Sequence, residues 1–174
     1  DSAANKYVDG SAFHLYGGTI DAMSTVHNAF PKKNLYFTEQ MVVNRPGSED
    51  MNASRPVAKV VIGATRNWSK NVLLWNLAAD SHFGPHTGDG GCPVCQGAIT
   101  IDGSDVSRNL AYYTIAHVSK FVRPGSVRIG SNEPDELPNV AFRTPAVKRV
   151  LLVANTSHAS QSFDVRYDKR SFAA

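Results

Sequence analysis

Hydrophobic and polar positions follow a strand–helix order through the first part of the chain. Residues 7–16 begin polar and end in aromatic side chains, which predicts a strand that ends at Gly17-Gly18. Residues 19–30 place apolar side chains on one helical face, and residues 34–39 form a short apolar run typical of a buried strand. Apolar side chains at steps of three and four then predict an amphipathic helix over residues 57–68.

The same order of elements occurs once more. Residues 71–78 are largely apolar and predict a third strand. Residues 80–106 are rich in Gly and His and are interpreted as a long loop. A further helical face extends from Ser107 to Phe121 and ends before Pro124-Gly125. The order βαβαβα implies parallel strands joined by right-handed crossovers.

Beyond Pro124-Gly125 the pattern predicts strands alone. Short runs of alternating polarity, separated by Pro, Gly, Asn and Asp, lie at residues 126–130, 138–143, 148–154 and 162–167. Such a series is typical of an antiparallel β-sandwich. The sequence therefore predicts an α/β part, residues 1–125, followed by an all-β part, residues 126–174.

Length and charge exclude several classes of protein. The chain has 174 residues, and its formal net charge of +3 is spread out, which argues against nucleic acid as a partner. No apolar run approaches the roughly 18 residues of a transmembrane segment, and the first five residues lack signal-peptide features, so we expect neither. A complete eight-stranded α/β barrel needs about 250 residues, so the chain is too short to be one.

Side chains that could bind or react with a ligand lie near the ends of the three predicted strands. His14 and Tyr16 share one face of the first strand, Glu39 ends the second, and Trp75 lies toward the end of the third. Parallel α/β folds place reactive groups at the carboxyl ends of their strands. A carboxylate beside imidazole, phenol and indole groups suits sugar chemistry, because rings stack on a pyranose and polar groups bind its hydroxyls. The residues alone leave open a hydrated Glu39 at a strand end and a purely structural His14.

Several longer motifs occur in one order along the chain. They are Ala12-Phe13-His14-Leu15-Tyr16-Gly17-Gly18, Leu35-Tyr36-Phe37-Thr38-Glu39-Gln40, Arg66-Asn67-Trp68-Ser69, Leu74-Trp75-Asn76-Leu77-Ala78, Gly90-Gly91-Cys92, Ala111-Tyr112-Tyr113 and Ser119-Lys120-Phe121-Val122-Arg123-Pro124-Gly125-Ser126. In these motifs the sequence resembles glycoside hydrolase family 30, which contains glucosylceramidases and endo-β-1,6-glucanases. The resemblance covers nearly the whole chain.

The resemblance implies a retaining β-glycosidase with a (β/α)₈ barrel and an attached β-sandwich. Of that enzyme the chain corresponds to the last three strand–helix units and most of the sandwich. By motif position Glu39 falls on the nucleophile, and His14, Tyr16 and Trp75 fall on positions that line the sugar subsite. The expected substrate is a β-glucoside or a glucan, no cofactor is expected, and the expected location is secreted or periplasmic.

The second carboxyl group of the expected reaction is a separate question. Retaining hydrolysis needs two carboxyl groups about 5–5.5 Å apart, and the resemblance implies that the acid/base belongs to an Asn-Glu-Pro motif on an earlier strand. Asn132-Glu133-Pro134 of this chain lies beyond the last helix, where we predict an exposed turn. We therefore expect the chain alone not to hydrolyse glycosides, and to need the upstream half of the enzyme or self-association.

Two other interpretations remain open at this level. His82, His86, Cys92 and Cys95 could hold zinc, although their spacing is not that of a common zinc finger, and we favour a disulfide or two free thiols over a metal site. The chain could also be a non-catalytic carbohydrate-binding or structural piece, in which the all-β part is functional and Glu39 is a remnant.

Overall fold

A three-stranded parallel sheet forms the first layer of the protein. The computed structural model describes residues 3–43, 52–168 and 170–173. After a short 3₁₀ turn at Asn5–Tyr7, the strands β1 (Gly10–His14), β2 (Asn34–Glu39) and β3 (Ser69–Val72) lie in the order β1-β2-β3. Helix α1 (Ala22–Ala29) connects the first two strands. A continuous central helix, made of α2 (Ser54–Pro56), a π-helical segment (Val57–Ile62) and α3 (Gly63–Arg66), precedes the third.

The central strand explains why this sheet forms. Leu35 and Phe37 alternate with less buried neighbours along β2, and both are almost completely buried. They pack with Met23 of α1 and with Val60 and Ala64 of the central helix. The short apolar run at residues 34–39 predicted a buried strand, and the observed strand has the same bounds, with one face buried against two helices.

A second sheet occupies the region predicted as a loop. Strand β4 (Ala78–Ala79) pairs in parallel with β5 (Ile99–Asp102), which forms an antiparallel hairpin with β6 (Asp105–Arg108). The loop prediction is therefore wrong over this hairpin, whose two-residue turn begins at Gly103 with a φ of 60°. The predicted strand at residues 71–78 is divided into β3 and β4. Helix α4 (Leu110–Ser119) lies within the predicted third helix.

The described residues after Gly125 contain strands and turns alone, as the sequence predicts. Strands β7 (Val127–Ile129), β8 (Asn139–Arg143) and β9 (Arg149–Val153) form an antiparallel sheet in the order β7-β8-β9. Strands β10 (Asp164–Tyr167) and β11 (Arg170–Ala173) form a separate hairpin. The alternating runs did not predict β11, which is only four residues long and follows a reversal of the chain at Asp168, where φ is 57°.

The antiparallel sheet packs on the central helix. One apolar cluster joins Val57, Val61 and Ile62 of the π-helical segment to Val140, Phe142, Leu152 and Ala154 of the sheet. The α/β part and the all-β part therefore share a core, and the boundary near Pro124-Gly125 remains a prediction. No helix among residues 3–43, 52–168 and 170–173 has the length and apolar character needed to cross a membrane.

Candidate functional site

The carboxyl ends of β1 and β2 place two of the predicted site residues side by side. His14 and Glu39 are register partners in the parallel pair, after an irregularity that follows Phe13. Nδ1 of His14 lies 3.9 Å from Oε1 of Glu39. Both side chains remain accessible, at 45% for His14 and 30% for Glu39. The pair can therefore meet a ligand from solvent while the strands hold its spacing.

Tyr16 completes the polar part of this edge. Its ring meets the His14 ring edge to face, with centroids 6.0 Å apart. The backbone N–H of Met41 donates to the phenol oxygen over 3.0 Å. Partial burial raises the pKa of the Tyr16 phenol, the charge of Glu39 raises it further, and the hydrogen bond from Met41 acts in the opposite direction. The phenol is therefore held in its neutral, donating form beside the Glu39 carboxylate.

Backbone contacts place Trp75 at the same edge of the sheet. Met41 and Trp75 form a parallel bridge beyond the ends of β2 and β3, and the Trp75 N–H donates to the carbonyl of Gln40 over 3.0 Å. The indole remains 46% exposed. Trp75 lies opposite Met41, which is two positions beyond Glu39. Its exposed ring is a surface on which a sugar can stack. The structure thus brings His14, Tyr16, Glu39 and Trp75 to one edge of the sheet.

Two other carboxylates, those of Asp9 and Asp80, are engaged in hydrogen bonds away from Glu39. Asp9 accepts hydrogen bonds from Asn34 and Tyr36, and Asn34 begins β2, about 16 Å along the strand from Glu39. Asp80 accepts from two backbone N–H groups of its own loop, at His82 and Gly84. These two carboxylates are tied into local turns and ladders, so neither supplies a partner for Glu39.

The Asn132-Glu133-Pro134 segment lies in an irregular connection between β7 and β8, as the sequence predicts. Oε1 of Glu133 lies 2.7 Å from Nε of Arg66, at the end of the central helix. The Glu133 side chain is 64% exposed. Its carboxylate therefore binds a structural arginine and lies apart from the strand ends that carry His14 and Glu39.

The two cysteines form a disulfide, Cys92–Cys95, with Cα atoms 5.5 Å apart. Of the two outcomes that the sequence left open, the paired state is the observed one. Two of the four candidate zinc ligands are consumed by this bond, and the described part of the chain holds no group of three or more metal-ligating side chains. His82 and His86 instead bond within their own loop, His82 to Ser81 and His86 to Thr87.

Met41 is a site residue that the sequence did not indicate. It donates to Tyr16, bridges to Trp75 and contacts the disulfide, with its Sδ 3.2 Å from Sγ of Cys95. A single methionine after a strand has no distinctive spacing, and its partners are 25, 34 and 54 residues distant in sequence. Only the fold brings them together.

Comparison with known proteins places the chain in a family. Residues 125–174 match the model of the glycosyl hydrolase family 30 beta sandwich domain. The endo-β1,6-glucanase BT3312 has a solved structure that covers 100% of this chain with a TM-score of 0.88 and 34% sequence identity. The chain belongs to glycoside hydrolase family 30. The resemblance noted from the sequence motifs is thereby confirmed.

Curated family 30 relatives give the same result over much of the chain. An endo-1,6-β-D-glucanase, neg1, of Aspergillus fumigatus is 32% identical over 161 residues, which is 88% of this chain and 32% of the relative. The lysosomal acid glucosylceramidase of Mus musculus is 27% identical over 174 residues, 90% of this chain and 32% of the relative. The chain spans about a third of the length of these curated relatives and 40% of the BT3312 structure.

Proposed function

We propose that this chain supplies the nucleophile side of the active site of a retaining β-glycosidase that acts on a β-glucoside or a β-glucan. The observation that carries the proposal is the pair formed by His14 and Glu39, 3.9 Å apart at the carboxyl ends of adjacent parallel strands. Membership of a family whose relatives are named as glucanases and glucosylceramidases supports the same chemistry.

In the proposed reaction Glu39 attacks the anomeric carbon and forms a covalent glycosyl–enzyme ester, while the glycosidic bond breaks and the upstream acid protonates the leaving oxygen. Water, deprotonated by the same upstream group, then hydrolyses the ester and frees Glu39. Tyr16 donates to the carboxylate and holds it for in-line attack, because its own oxygen already accepts the Met41 N–H. His14 binds a sugar hydroxyl or the second carboxylate oxygen, and Trp75 stacks on the apolar face of the ring. No step of this reaction needs a cofactor.

The proposal includes a part of the enzyme that lies outside this chain. Residues 1–125 are proposed to form the last three strand–helix units of a (β/α)₈ barrel, and residues 126–174 the β-sandwich. The parallel order β1-β2-β3 with helices between the strands supports the first assignment. Asp9, Asp80 and Glu133 each have partners elsewhere, so the general acid/base is proposed to come from upstream strands.

The decisive experiment is covalent labelling of Glu39. The chain is co-expressed with the part of BT3312 that it does not cover, and the complex is treated with 2-deoxy-2-fluoro-β-D-glucosyl fluoride. Mass spectrometry of the peptides is expected to find the sugar ester on Glu39. The expected result includes no label in Glu39→Gln and full label in Glu133→Gln, which removes a carboxylate of the same type outside the site.

A label on any other carboxylate, or none in a complex shown to assemble, contradicts the proposal. The chain by itself is expected to leave p-nitrophenyl β-D-glucoside unhydrolysed, because the general acid/base is proposed to come from upstream strands. Turnover by the purified chain alone would contradict the incomplete site.

A second candidate function, non-catalytic carbohydrate binding by the all-β part, is favoured by one feature. A groove of about 970 Å³ lies between the β7-β8-β9 sheet and the β10-β11 hairpin, with Phe163, Tyr167 and Phe172 among its lining residues. Arg149 lies over the Tyr167 ring at 4.1 Å from its centroid. Exposed aromatic rings offer apolar faces on which a sugar can stack.

The two candidates predict opposite outcomes for laminarin or pustulan binding by the purified chain. Binding that survives Glu39→Gln and disappears in Tyr167→Ala would favour the carbohydrate-binding function. Point variants are preferable to removal of residues 126–174, because the sheet and the central helix share the cluster around Val61 and Phe142.

A secreted or periplasmic location is part of the main proposal, and the Cys92–Cys95 disulfide suits an oxidising compartment.

A further inference from the structure

Met41 lies at the centre of the contacts that hold the candidate site together. Its N–H donates to the Tyr16 phenol over 3.0 Å, and its backbone bridges to Trp75 on the neighbouring segment. The preceding carbonyl, of Gln40, accepts from the Trp75 N–H. One residue just beyond β2 thus connects the strand end that carries Glu39 to the phenol on one side and the indole on the other.

The hydrogen bond to Tyr16 determines what the phenol can do. A phenol oxygen that accepts a backbone N–H still has its own proton to donate. Glu39 is the charged group beside it, and its charge raises the pKa of the Tyr16 phenol. The Met41 amide therefore fixes the position of the phenol oxygen and leaves the phenol proton free to donate.

The side chain of Met41 is in turn held from the far side. Its sulfur lies 3.2 Å from Sγ of Cys95, and Cys95 is only 7% exposed. Cys95 is bonded to Cys92, and this disulfide fixes the tight turn at residues 92–95 in the loop that follows β4. The thioether of methionine is flexible and polarisable, so it adapts to the irregular surface around Cys95. Because the disulfide restrains this turn, it also restrains the Cys95 sulfur against which Met41 packs.

We propose that Met41 is a positioning residue, which the Cys92–Cys95 loop holds in place so that Tyr16 stays fixed against Glu39. The loop therefore acts on the nucleophile through Met41 and Tyr16 and does not itself touch the sugar. The proposal deepens the proposed function, since it assigns a role in that site, but the contacts that carry it are independent of whether Glu39 reacts.

The test measures the titration of Tyr16 in the purified chain. Tyrosine labelled with ¹³C at Cζ is incorporated, and the Tyr16 resonance is identified by its loss in Tyr16→Phe. In the wild-type chain the pKa of Tyr16 is expected above its ordinary value of 10.0, because burial and Glu39 disfavour the phenolate. In Met41→Ala, and in the double variant Cys92→Ser/Cys95→Ser, the pKa is expected to fall toward 10.0 as the phenol moves away from Glu39.

Two controls separate positioning from loss of stability. Met23→Ala removes another methionine, 1% exposed, from the core around Phe37, and is expected to lower the unfolding midpoint while Tyr16 titrates as in the wild type. Glu39→Gln is expected to lower the pKa of Tyr16, which shows that the resonance reports on Glu39. Circular dichroism confirms that each variant is folded.

The proposal is overturned if Met41→Ala and the double serine variant both keep the wild-type titration, or if Met23→Ala shifts it equally. The titration requires no turnover. Failure to label Glu39 together with the expected titration shifts would reject the proposed function and retain the role of Met41. The reverse pattern would reject Met41 alone.

Discussion

Nε of Arg66 lies 2.7 Å from Oε1 of Glu133, and this ion pair joins the end of the central helix to the connection between β7 and β8. The same guanidinium donates to the carbonyl of Asn139 over 2.9 Å and to the hydroxyl of Ser131 over 3.0 Å. Arg66 is 18% exposed, whereas Glu133 is 64% exposed. Glu133 of the Asn132-Glu133-Pro134 motif therefore forms a contact between the α/β part and the all-β part of the chain.

Because Arg66 is more buried than Glu133, we expect substitution of Arg66 to lower the free energy of unfolding more than substitution of Glu133. Arg66→Met is expected to lower the free energy of unfolding by about 2–3 kcal/mol, because it leaves the buried carbonyl of Asn139 without a donor. Glu133→Gln is expected to cost less than about 1 kcal/mol, since exposed ion pairs contribute little. Urea denaturation followed by circular dichroism measures both.

The matched control for Arg66 is Arg143→Met, which removes an exposed arginine at the end of β8. It is expected to leave the urea midpoint unchanged within error. Equal losses for Arg66→Met and Arg143→Met would show that the guanidinium contacts do not stabilise the junction.

The Asp9–Tyr36 contact predicts how stability depends on pH. Hydrogen bonds from Tyr36 and Asn34 lower the pKa of Asp9 below its ordinary 3.8. A carboxyl group with a lowered pKa in the folded state stabilises the fold above pH 3.8, and this contribution is lost as the pH falls through the folded value. Asp9→Asn is therefore expected to flatten the acid limb of the profile of unfolding free energy against pH.

Tyr36 affects the alkaline limb of the same profile of unfolding free energy against pH. Asp9 raises the pKa of the Tyr36 phenol above 10.0, so the contribution of this phenol is present below pH 10.0 and is lost as the pH rises through the folded value. In Tyr36→Phe both limbs should become shallower. The double variant Asp9→Asn/Tyr36→Phe is expected to be less destabilised than the sum of the single changes, and strict additivity would show that the two groups do not interact.

The turn between β8 and β9 contains a strained residue. Val147 has a φ of 58°, a left-handed conformation that disfavours β-branched side chains, and its side chain is 62% exposed. Val147→Asn is therefore expected to raise the free energy of unfolding by about 1 kcal/mol. Thermal denaturation measures the gain. Val147→Thr keeps the β-branch and is expected to give no gain, so equal stabilisation by both variants would refute the strain.

Exposed apolar side chains predict that the chain self-associates when it is purified alone. Leu77 is 77% exposed and Leu73 is 51% exposed, in the segment between β3 and β4. Apolar surface of this kind normally lies against a partner. Light scattering coupled to size exclusion is expected to find masses above the 18.8 kDa of one chain, and the double variant Leu73→Ser/Leu77→Ser should shift them toward it.

The control for self-association is Val147→Asn, which alters an exposed residue elsewhere and should leave the mass distribution unchanged. A monomeric wild-type chain would contradict the prediction.

Local patterns predicted the elements whose stability depends on one buried face. The apolar run at residues 34–39 predicted β2 to the residue, because Leu35 and Phe37 must alternate into the core whatever surrounds them. The β5-β6 hairpin was missed because its strands are only four residues long and mostly exposed, so glycine-rich composition dominated the interpretation. The alternation on either side of Gly103-Ser104 was the signal that could have revealed it.

The amino-acid sequence by itself indicated the family, the four candidate site residues and most of the strands and helices, since these depend on neighbours within a few positions; it missed the β5-β6 hairpin and β11. The tertiary structure alone decided that His14 lies 3.9 Å from Glu39, that Met41 connects Tyr16 to Cys95, and that Glu133 binds Arg66. These contacts join residues 25 to 67 positions apart. Their existence depends on strand register and on helix packing, which no local pattern encodes.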